Sequence, residues 1–219
     1  MTEQTTPVTE VDQHPERGAY DFDTIAAILD AGFLCHVGFV SDGLPYVIPM
    51  LYARSEHSLY LHGSRGSRML RSLKAGMPLS IAVTLVDGLV LARSVLHHSM
   101  NYRSVVVSGT AREVTDPAEK AAALECVVEH LVPQRWGDAR VPAPAETAKT
   151  LILAVGLDHA SAKVRTGPPL DDEKDYGRDV WAGVVPLTLS VGDPDPDAGV
   201  EAPVPDYVKK LDRRYGSAL

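Results

Sequence analysis

The segment His97-His98-Ser99-Met100-Asn101-Tyr102-Arg103-Ser104-Val105-Val106-Val107-Ser108-Gly109 joins a polar stretch to a β-branched run. Its three consecutive valines favour a pleated, half-buried strand, and the simplest interpretation of the preceding residues is a solvated loop. That interpretation leaves the density of hydrogen-bond donors unexplained. Because strand residues alternate faces, Tyr102 and Ser104 would share one face and Arg103 would lie on the other. The segment therefore predicts a strand that lies against a flat aromatic or anionic ligand.

Hydrophobic patterns on both sides of this segment predict more strands joined by short turns. Strands are predicted at residues 33–40, 45–54, 57–62, 79–86, 89–93, 103–114 and 150–157, and helices at 23–29, 117–131 and from 64 or 67 to 76. The pairs Asp42-Gly43 and Asp87-Gly88 predict tight turns, because these residues tolerate the positive φ angles of hairpins. The pattern predicts a mainly β fold with flanking helices, an antiparallel barrel or strongly curled sheet.

Composition divides the 219 residues into three predicted parts. Residues 1–19 lack hydrophobic periodicity and are predicted to form a flexible N-terminal segment. Residues 20–166 are predicted to form one barrel domain with a sizeable core. Residues 167–219 are predicted to form a partly irregular C-terminal extension, able to wrap a partner subunit, because Asp-Pro pairs recur within 192–205.

Charge and composition exclude several classes of function. The formal net charge of −8 argues against nucleic-acid binding, which needs a local excess of Lys and Arg. No apolar run approaches the roughly 20 residues of a membrane span, and the polar, acidic first twenty residues lack a signal-peptide pattern, so secretion is not expected. Cys35 and Cys126 fall in a predicted strand and helix, so a disulfide is unsupported, and no metal-site spacing occurs. A cytoplasmic protein without a membrane or a structural metal is predicted.

A second polar cluster marks the passage from a predicted strand into a predicted helix. The strand ends at His62, and the bend contains Gly63 and Gly66. Free backbone N–H groups at the start of a helix attract anions, and Ser64, Ser67 and either Arg65 or Arg68 would add donors and charge. One phosphate could bind here. An ordinary serine-capped helix with solvated arginines explains the same residues equally well.

The order and spacing of four elements resemble the pyridoxamine 5′-phosphate oxidase superfamily. Within it, the chain is most similar to the flavin-nucleotide-binding proteins related to Nim-type nitroimidazole reductases. The elements are the predicted strand at 35–40, the second strand of the same hairpin at 45–50, the bend from His62 to Arg68, and Tyr102 to Gly109. The resemblance spans roughly residues 17–166 and returns at Trp181-Ala182-Gly183. It implies an FMN-binding split β-barrel and a homodimer with two FMN sites at the subunit interface.

The resemblance also implies the residues of the flavin site. The phosphate turn would comprise Gly63, Ser64, Ser67 and Arg68. The strand bordering the isoalloxazine ring would comprise Tyr46, Val47, Ile48, Pro49 and Met50. The Tyr-Arg-Ser element would comprise Tyr102, Arg103 and Ser104. His62 matches a histidine near the flavin and is the candidate catalytic proton donor, because an imidazole titrates near neutral pH. Its alternative role is to cap the end of a strand.

These assignments predict an FMN-dependent oxidoreductase that reduces a small-molecule electron acceptor, a planar electrophile such as a nitroaromatic. Arg103 would stabilise negative charge on the reduced ring or on the phosphate. An FMN store or sensor without turnover remains an alternative, as does a haem-binding split barrel with His97 or His98 as ligand. The substrate-phosphate motif of pyridoxamine 5′-phosphate oxidase is missing near the C-terminus, where residues 161–165 arrange their cations differently. Oxidation of vitamin B6 is therefore not expected.

Overall fold

The structure, a computed structural model, describes residues 10–211. Residues 1–9 of the predicted N-terminal segment and 212–219 of the predicted extension lie outside the described residues. The strands are β1 (Gly18–Ala19), β2 (Leu34–Ser41), β3 (Leu44–Ser55), β4 (Ser58–Ser64), β5 (Leu79–Leu91), β6 (Ser99–Gly109), β7 (Arg112–Glu113), β8 (Thr150–Gly156), β9 (Ala160–Arg165) and β10 (Gly183–Pro186). The helices are α1 (Phe22–Ala31), α2 (Arg68–Lys74), α3 (Pro117–Leu131), α4 (Arg135–Asp138), α5 (Pro144–Lys149) and α6 (Asp206–Lys209).

Within residues 10–211, ten strands form one antiparallel sheet that curls around a single main core. The strand order is β1-β9-β6-β5-β2-β3-β4-β8-β7, and β10 pairs with β5. Helix α1 contacts β3, β5, β6 and β9, and it contributes Ile25, Ile28 and Leu29 to the core. Helix α3 packs on β3. This architecture confirms the predicted mainly β split barrel with flanking helices.

Local sequence signals explain several element boundaries. Asp42 and Gly43 have φ angles of 52° and 74°, which confirms the predicted hairpin between β2 and β3. The carboxylate of Asp21 accepts a hydrogen bond from Thr24 N at 2.8 Å and caps α1. Asp116 caps α3 in the same way, and α3 begins and ends at the predicted residues. The hairpin fixes the register of β3, which carries part of the candidate site.

The predicted turn at Asp87-Gly88 is wrong. Strand β5 runs unbroken through these residues, and its pairing with β6 shifts register between Val86 and Gly88, which indicates a β-bulge. The long β6 pairs with β5 on both sides of the bulge, so tertiary pairing overrides the turn preference of Asp-Gly. A Cβ at Gly88 would lie 3.0 Å from Val185 O, so the residue also permits the close approach of β10.

A buried tyrosine anchors β3 to helix α1. Tyr52 is fully buried, and its hydroxyl donates to Leu29 O at 2.6 Å. The His130 ring of α3 lies 5.3 Å from the Tyr52 ring, and its Nε2 lies 2.7 Å from Gly32 O. These contacts hold β3 between two helices. No helix within residues 10–211 is long and apolar enough to span a membrane.

Candidate functional site

The turn between β4 and α2 is organised by its two serines. Gly66 N donates to Ser64 Oγ at 3.1 Å, and Ser67 N donates to Ser64 O at 2.9 Å. Ser67 Oγ accepts from Leu70 N at 3.3 Å and caps α2. Both hydroxyl oxygens therefore act as acceptors within the turn, so both hydroxyl protons can still be donated outward. The serine-capped helix is present, and it is compatible with a bound anion.

The two arginines of the turn differ in what they contact. Arg65 donates to Ala148 O at 2.8 Å and lies 3.4 Å from Glu113, which also pairs with Lys74 at 2.5 Å. Arg68 is exposed, and no carboxylate of residues 10–211 lies within 4 Å of its guanidinium. Its guanidinium carbon instead sits 5.4 Å from the centre of the Tyr46 ring, a cation–π contact. Arg68 is therefore the cation of this turn that remains available to a phosphate.

Tyr46 links the turn to the predicted flavin strand. Its ring stacks on Phe39 at 5.4 Å with an interplanar angle of 17°. Both side chains belong to the core-facing set of β2 and β3, whereas Val47 and Pro49 lie on the outer face of the sheet. The structure thus brings Tyr46 to the turn at Ser64–Arg68 through the Arg68 guanidinium, and Val47–Met50 continue along the same strand.

The predicted Tyr-Arg-Ser element lies elsewhere in the same chain. Strands β5 and β2 separate β6 from β3, so Tyr102–Ser104 lies three inter-strand spacings away, about 14 Å along the sheet. Arg103 Nε and Nη2 bind the Asp87 carboxylate at 3.0 and 2.7 Å, and this hydrogen bonding raises the pKa of Arg103. Ser104 Oγ donates to Lys163 O at 3.3 Å. A single chain does not bring this element to the turn, and its predicted flavin contacts stay predictions.

His62 lies two residues before the end of β4 and pairs with the buried Ile152 of β8. Tyr52 pairs with the buried Leu61, so the alternation of side chains places His62 on the outer face of the sheet with Leu51. Its Nδ1 is buried and has no hydrogen-bond partner within the described chain. Burial lowers the pKa of His62 from its ordinary value of 6.5. The ring is therefore mainly neutral at pH 7, the form in which imidazole ligates metals.

A second buried imidazole nitrogen belongs to His97. His97 Nδ1 has no hydrogen-bond partner among the described residues and lies 3.8 Å from Asp171 Oδ1. The Asp171 side chain is fully buried and accepts from Arg93 N at 2.9 Å and Ser94 N at 3.0 Å. Burial acts to raise the pKa of Asp171, but these N–H donors and the Arg93 guanidinium lower it overall. Next to it, His98 Nδ1 lies 3.1 Å from Ser94 O.

Sequence reasoning missed Asp171. It lies more than seventy residues from the backbone groups that it binds, and no local motif signals such a contact. Its hydrogen bonds fix the backbone of Arg93 and Ser94, just before the predicted polar segment at 97–109. Asp171 therefore positions the helical turn at Val95–His97 that carries His97.

The outer face of β2, β3, β5 and β6 is exposed in the single chain and carries many aliphatic side chains between polar ones such as His36 and Thr84. An open antiparallel face normally carries polar side chains. Here exposed aliphatic residues follow one another on β2, β3, β5 and β6: Leu34, Val40, Val47, Leu51, Val86 and Val106. Val47 is 65% exposed. A cluster of exposed aliphatic side chains of this kind marks an interaction surface.

The strand order and the curled sheet define a split β-barrel of the class adopted by flavin-binding proteins. The sequence model of the pyridoxamine 5′-phosphate oxidase family matches residues 21–164. The chain belongs to this family, and the predicted resemblance is confirmed. A search of curated proteins finds no match to the chain.

Two solved structures are similar to nearly the whole chain. The flavocytochrome Anf3 from Azotobacter vinelandii is 39% identical, with a TM-score of 0.87, over 92% of this chain and 95% of its own. An FAD- and haem-binding protein from Mycobacterium smegmatis is 34% identical, with a TM-score of 0.86, over 91% of this chain and 98% of its own. A candidate 5-nitroimidazole antibiotic resistance protein from Bacteroides thetaiotaomicron is 24% identical, with a TM-score of 0.57, over 67% and 86%. At that identity it shows the shared fold alone.

Proposed function

We propose that this chain is a dimeric redox protein that binds both a flavin nucleotide and a haem. The observation that carries the proposal is similarity over more than nine-tenths of the chain to a flavocytochrome and to an FAD- and haem-binding protein. The split barrel alone would support a flavin only. The buried, unpaired imidazole nitrogens of His62 and His97 are the features of this chain that fit the additional haem.

The flavin phosphate is assigned to the turn at Ser64–Arg68. Arg68 has no competing carboxylate in the described chain, and the hydroxyl protons of Ser64 and Ser67 remain available. A bound flavin supplies the electron-transfer chemistry, whereas the protein supplies position and electrostatics. The sequence predicts FMN, whereas the similarity to the Mycobacterium smegmatis protein favours FAD. The phosphate next to the ribityl chain is common to both, so this turn serves either nucleotide.

The haem iron is assigned to His62. Its imidazole is mainly neutral at pH 7, because burial lowers its pKa, and its Nδ1 has no partner in the described chain. The ring lies on the outer face with Leu51, where apolar side chains can cover a porphyrin. His97 is the second candidate, because the nearby Asp171 carboxylate can orient its ring as carboxylates orient metal-ligating histidines. The predicted proton-donor role of His62 is the alternative to its role as a ligand.

The partner is a second copy of the chain, seated on the outer face of β2, β3, β5 and β6. Exposed Val40, Val47 and Val106 lie on that face, and a two-fold interface buries the same patch on both subunits. Tyr102 and Ser104 share the face but lie about 14 Å from β3 within one chain. Only a partner's strand could add them to the flavin site. The predicted homodimer therefore also explains the separation of the predicted site residues.

The electron acceptor is proposed from the sequence alone. Reduction of a planar electrophile such as a nitroaromatic stays a prediction from the sequence. The depressed pKa of His62 reduces the protonated fraction that a general acid needs at pH 7. This favours electron transfer between bound cofactors over proton donation by His62. A store or sensor without turnover is the outcome if no acceptor reoxidises the reduced protein.

Replacing Arg68 with alanine is expected to weaken flavin binding by about 1.5 to 3 kcal/mol, the range for a hydrogen bond to a charged group. Arg65→Ala is the matched control. Arg65 is already engaged by Ala148 O and Glu113, so its loss should leave affinity nearly unchanged. Fluorescence titration with FAD, FMN and riboflavin measures the effect. Riboflavin, which lacks phosphate, should bind weakly to the wild type and equally to both variants.

Equal flavin affinities in the wild type and Arg68→Ala would show that the flavin phosphate does not bind at this turn. Tight riboflavin binding would have the same meaning. Comparison of FAD with FMN in the same titration identifies the nucleotide.

A further inference from the structure

A cavity of about 310 Å³ lies between the helical turn at Pro15–Arg17 and the loop that follows β9. It shares no lining residue with the flavin site. Its polar lining consists of Glu16, Arg17, Arg165 and Thr166. Its apolar lining includes Val164, Pro168 and Leu170.

Arg165 is a buried cation without an acidic partner. Only 8% of the residue is exposed. Its guanidinium donates to the side-chain oxygen of Asn101, to Gly167 O at 3.4 Å and to Pro168 O at 3.2 Å, all neutral acceptors. Within residues 10–211, no carboxylate lies within 4 Å of it. A charge removed from water without a counter-ion is costly, so a group that supplies negative charge would be stabilised here.

The charged surroundings of Arg165 are mainly positive. Burial and repulsion from Arg17 lower the pKa of Arg165, whereas Tyr102 opposes this shift. Glu16 is the acidic residue of the lining, but its carboxylate lies 3.5 Å from Arg17 and 3.2 Å from His14. Lys163 nearby donates to Gln13 O at 2.7 Å and adds another positive charge. This concentration of cations stands out in a chain of net charge −8.

We infer that this cavity binds a small organic anion, whose phosphate or carboxylate group lies between Arg17 and Arg165. Arginine presents a planar fork of donors that matches both kinds of oxyanion. The apolar part of the ligand would pack on Val164, Pro168 and Leu170. The lining residues of the cavity are distinct from those assigned to the proposed cofactors, although Arg165 pairs with Tyr102 across β6 and β9.

Isothermal titration of the full chain with phenyl phosphate and with benzoate tests this site. The two probes share a phenyl body, so their relative affinities assign the preferred head group. Saturable one-to-one binding of either is expected at low ionic strength, and benzyl alcohol, the neutral analogue, should not bind. Arg17→Gln and Arg165→Lys should each weaken anion binding by about 10- to 100-fold, since each removes charge-assisted hydrogen bonds.

Three controls keep the result specific. Arg140→Gln removes an exposed arginine outside the cavity lining and should leave anion affinity unchanged. Arg17→Gln keeps the test interpretable if the buried Arg165 variant fails to fold. Titration repeated in the presence of excess flavin, which would occupy the turn at Ser64–Arg68, should give the same anion affinity.

Failure of both anions to bind the wild type would overturn the inference. Equal affinities in wild type and Arg17→Gln would do so as well. Loss of anion binding in the presence of excess flavin would assign it to the flavin turn and refute a cavity site.

Discussion

Val47→Glu is expected to convert the proposed dimer into monomers. Val47 is 65% exposed in the single chain, so a glutamate there leaves the barrel core intact. In the proposed interface it would bury an unpaired carboxylate, which costs several kcal/mol and should raise the dimer dissociation constant by at least about 100-fold. Light scattering coupled to size exclusion measures the change. Flavin should be lost together with the dimer, because the site is completed by the partner.

Two further variants distinguish loss of the subunit interface from damage to the flavin strand β3. Val106→Glu places the same charge on β6, away from β3, and should also give monomers. Val141→Glu adds the same charge at an exposed valine between α4 and α5 and should remain dimeric. A Val47→Glu protein that stays dimeric would place the subunit contact on another surface.

His62→Ala is expected to abolish haem binding while leaving flavin bound. Loss of a residue that only orients a metal ligand lowers affinity by up to about 100-fold. Loss of the sole protein ligand itself should therefore lower haem affinity by more than about 100-fold. Absorption titration of the apo-protein with haem measures the effect. His159→Ala replaces an exposed histidine and should leave haem binding unchanged. Haem lost from His97→Ala but retained by His62→Ala would move the ligand to His97.

The pH dependence of haem binding also tests whether His62 is the iron ligand. Protonation competes with iron for the imidazole, and burial lowers the pKa of His62 from 6.5. Haem should therefore stay bound as pH falls through 6.5 and dissociate reversibly at lower pH. If His62 is instead a proton donor, His62→Ala keeps its haem and slows acceptor reduction by roughly 10² to 10⁴.

Local signals predicted the parts of the fold that depend on neighbouring residues. Asp42-Gly43 specifies a turn by its own φ preferences, and Asp116-Pro117 specifies where α3 begins. Strand β9 escaped prediction because Ala160, Ser161 and Ala162 are all buried, so polarity does not alternate along it. The bulge at Asp87 also escaped, because it depends on pairing with β6 rather than on the dipeptide.

The candidate site was predictable only where it is contiguous. The turn from His62 to Arg68 lies within seven residues, and the structure keeps it together with Tyr46. The pairing of Arg103 with Asp87 depends on the bulge, and the burial of Asp171 depends on a loop distant in sequence. The distinct environments of Arg65 and Arg68 required the fold, since their sequence contexts are nearly equivalent.

The proposal of a protein with two cofactors is tested by the cofactor content of the full chain after incubation with haem and flavin and removal of the excess by gel filtration. We predict an absorption spectrum with a Soret band and flavin bands together, at one haem and one flavin per protomer. Elution with flavin alone would contradict the haem assignment and leave a simple flavoprotein. Elution with neither cofactor would contradict the account as a whole.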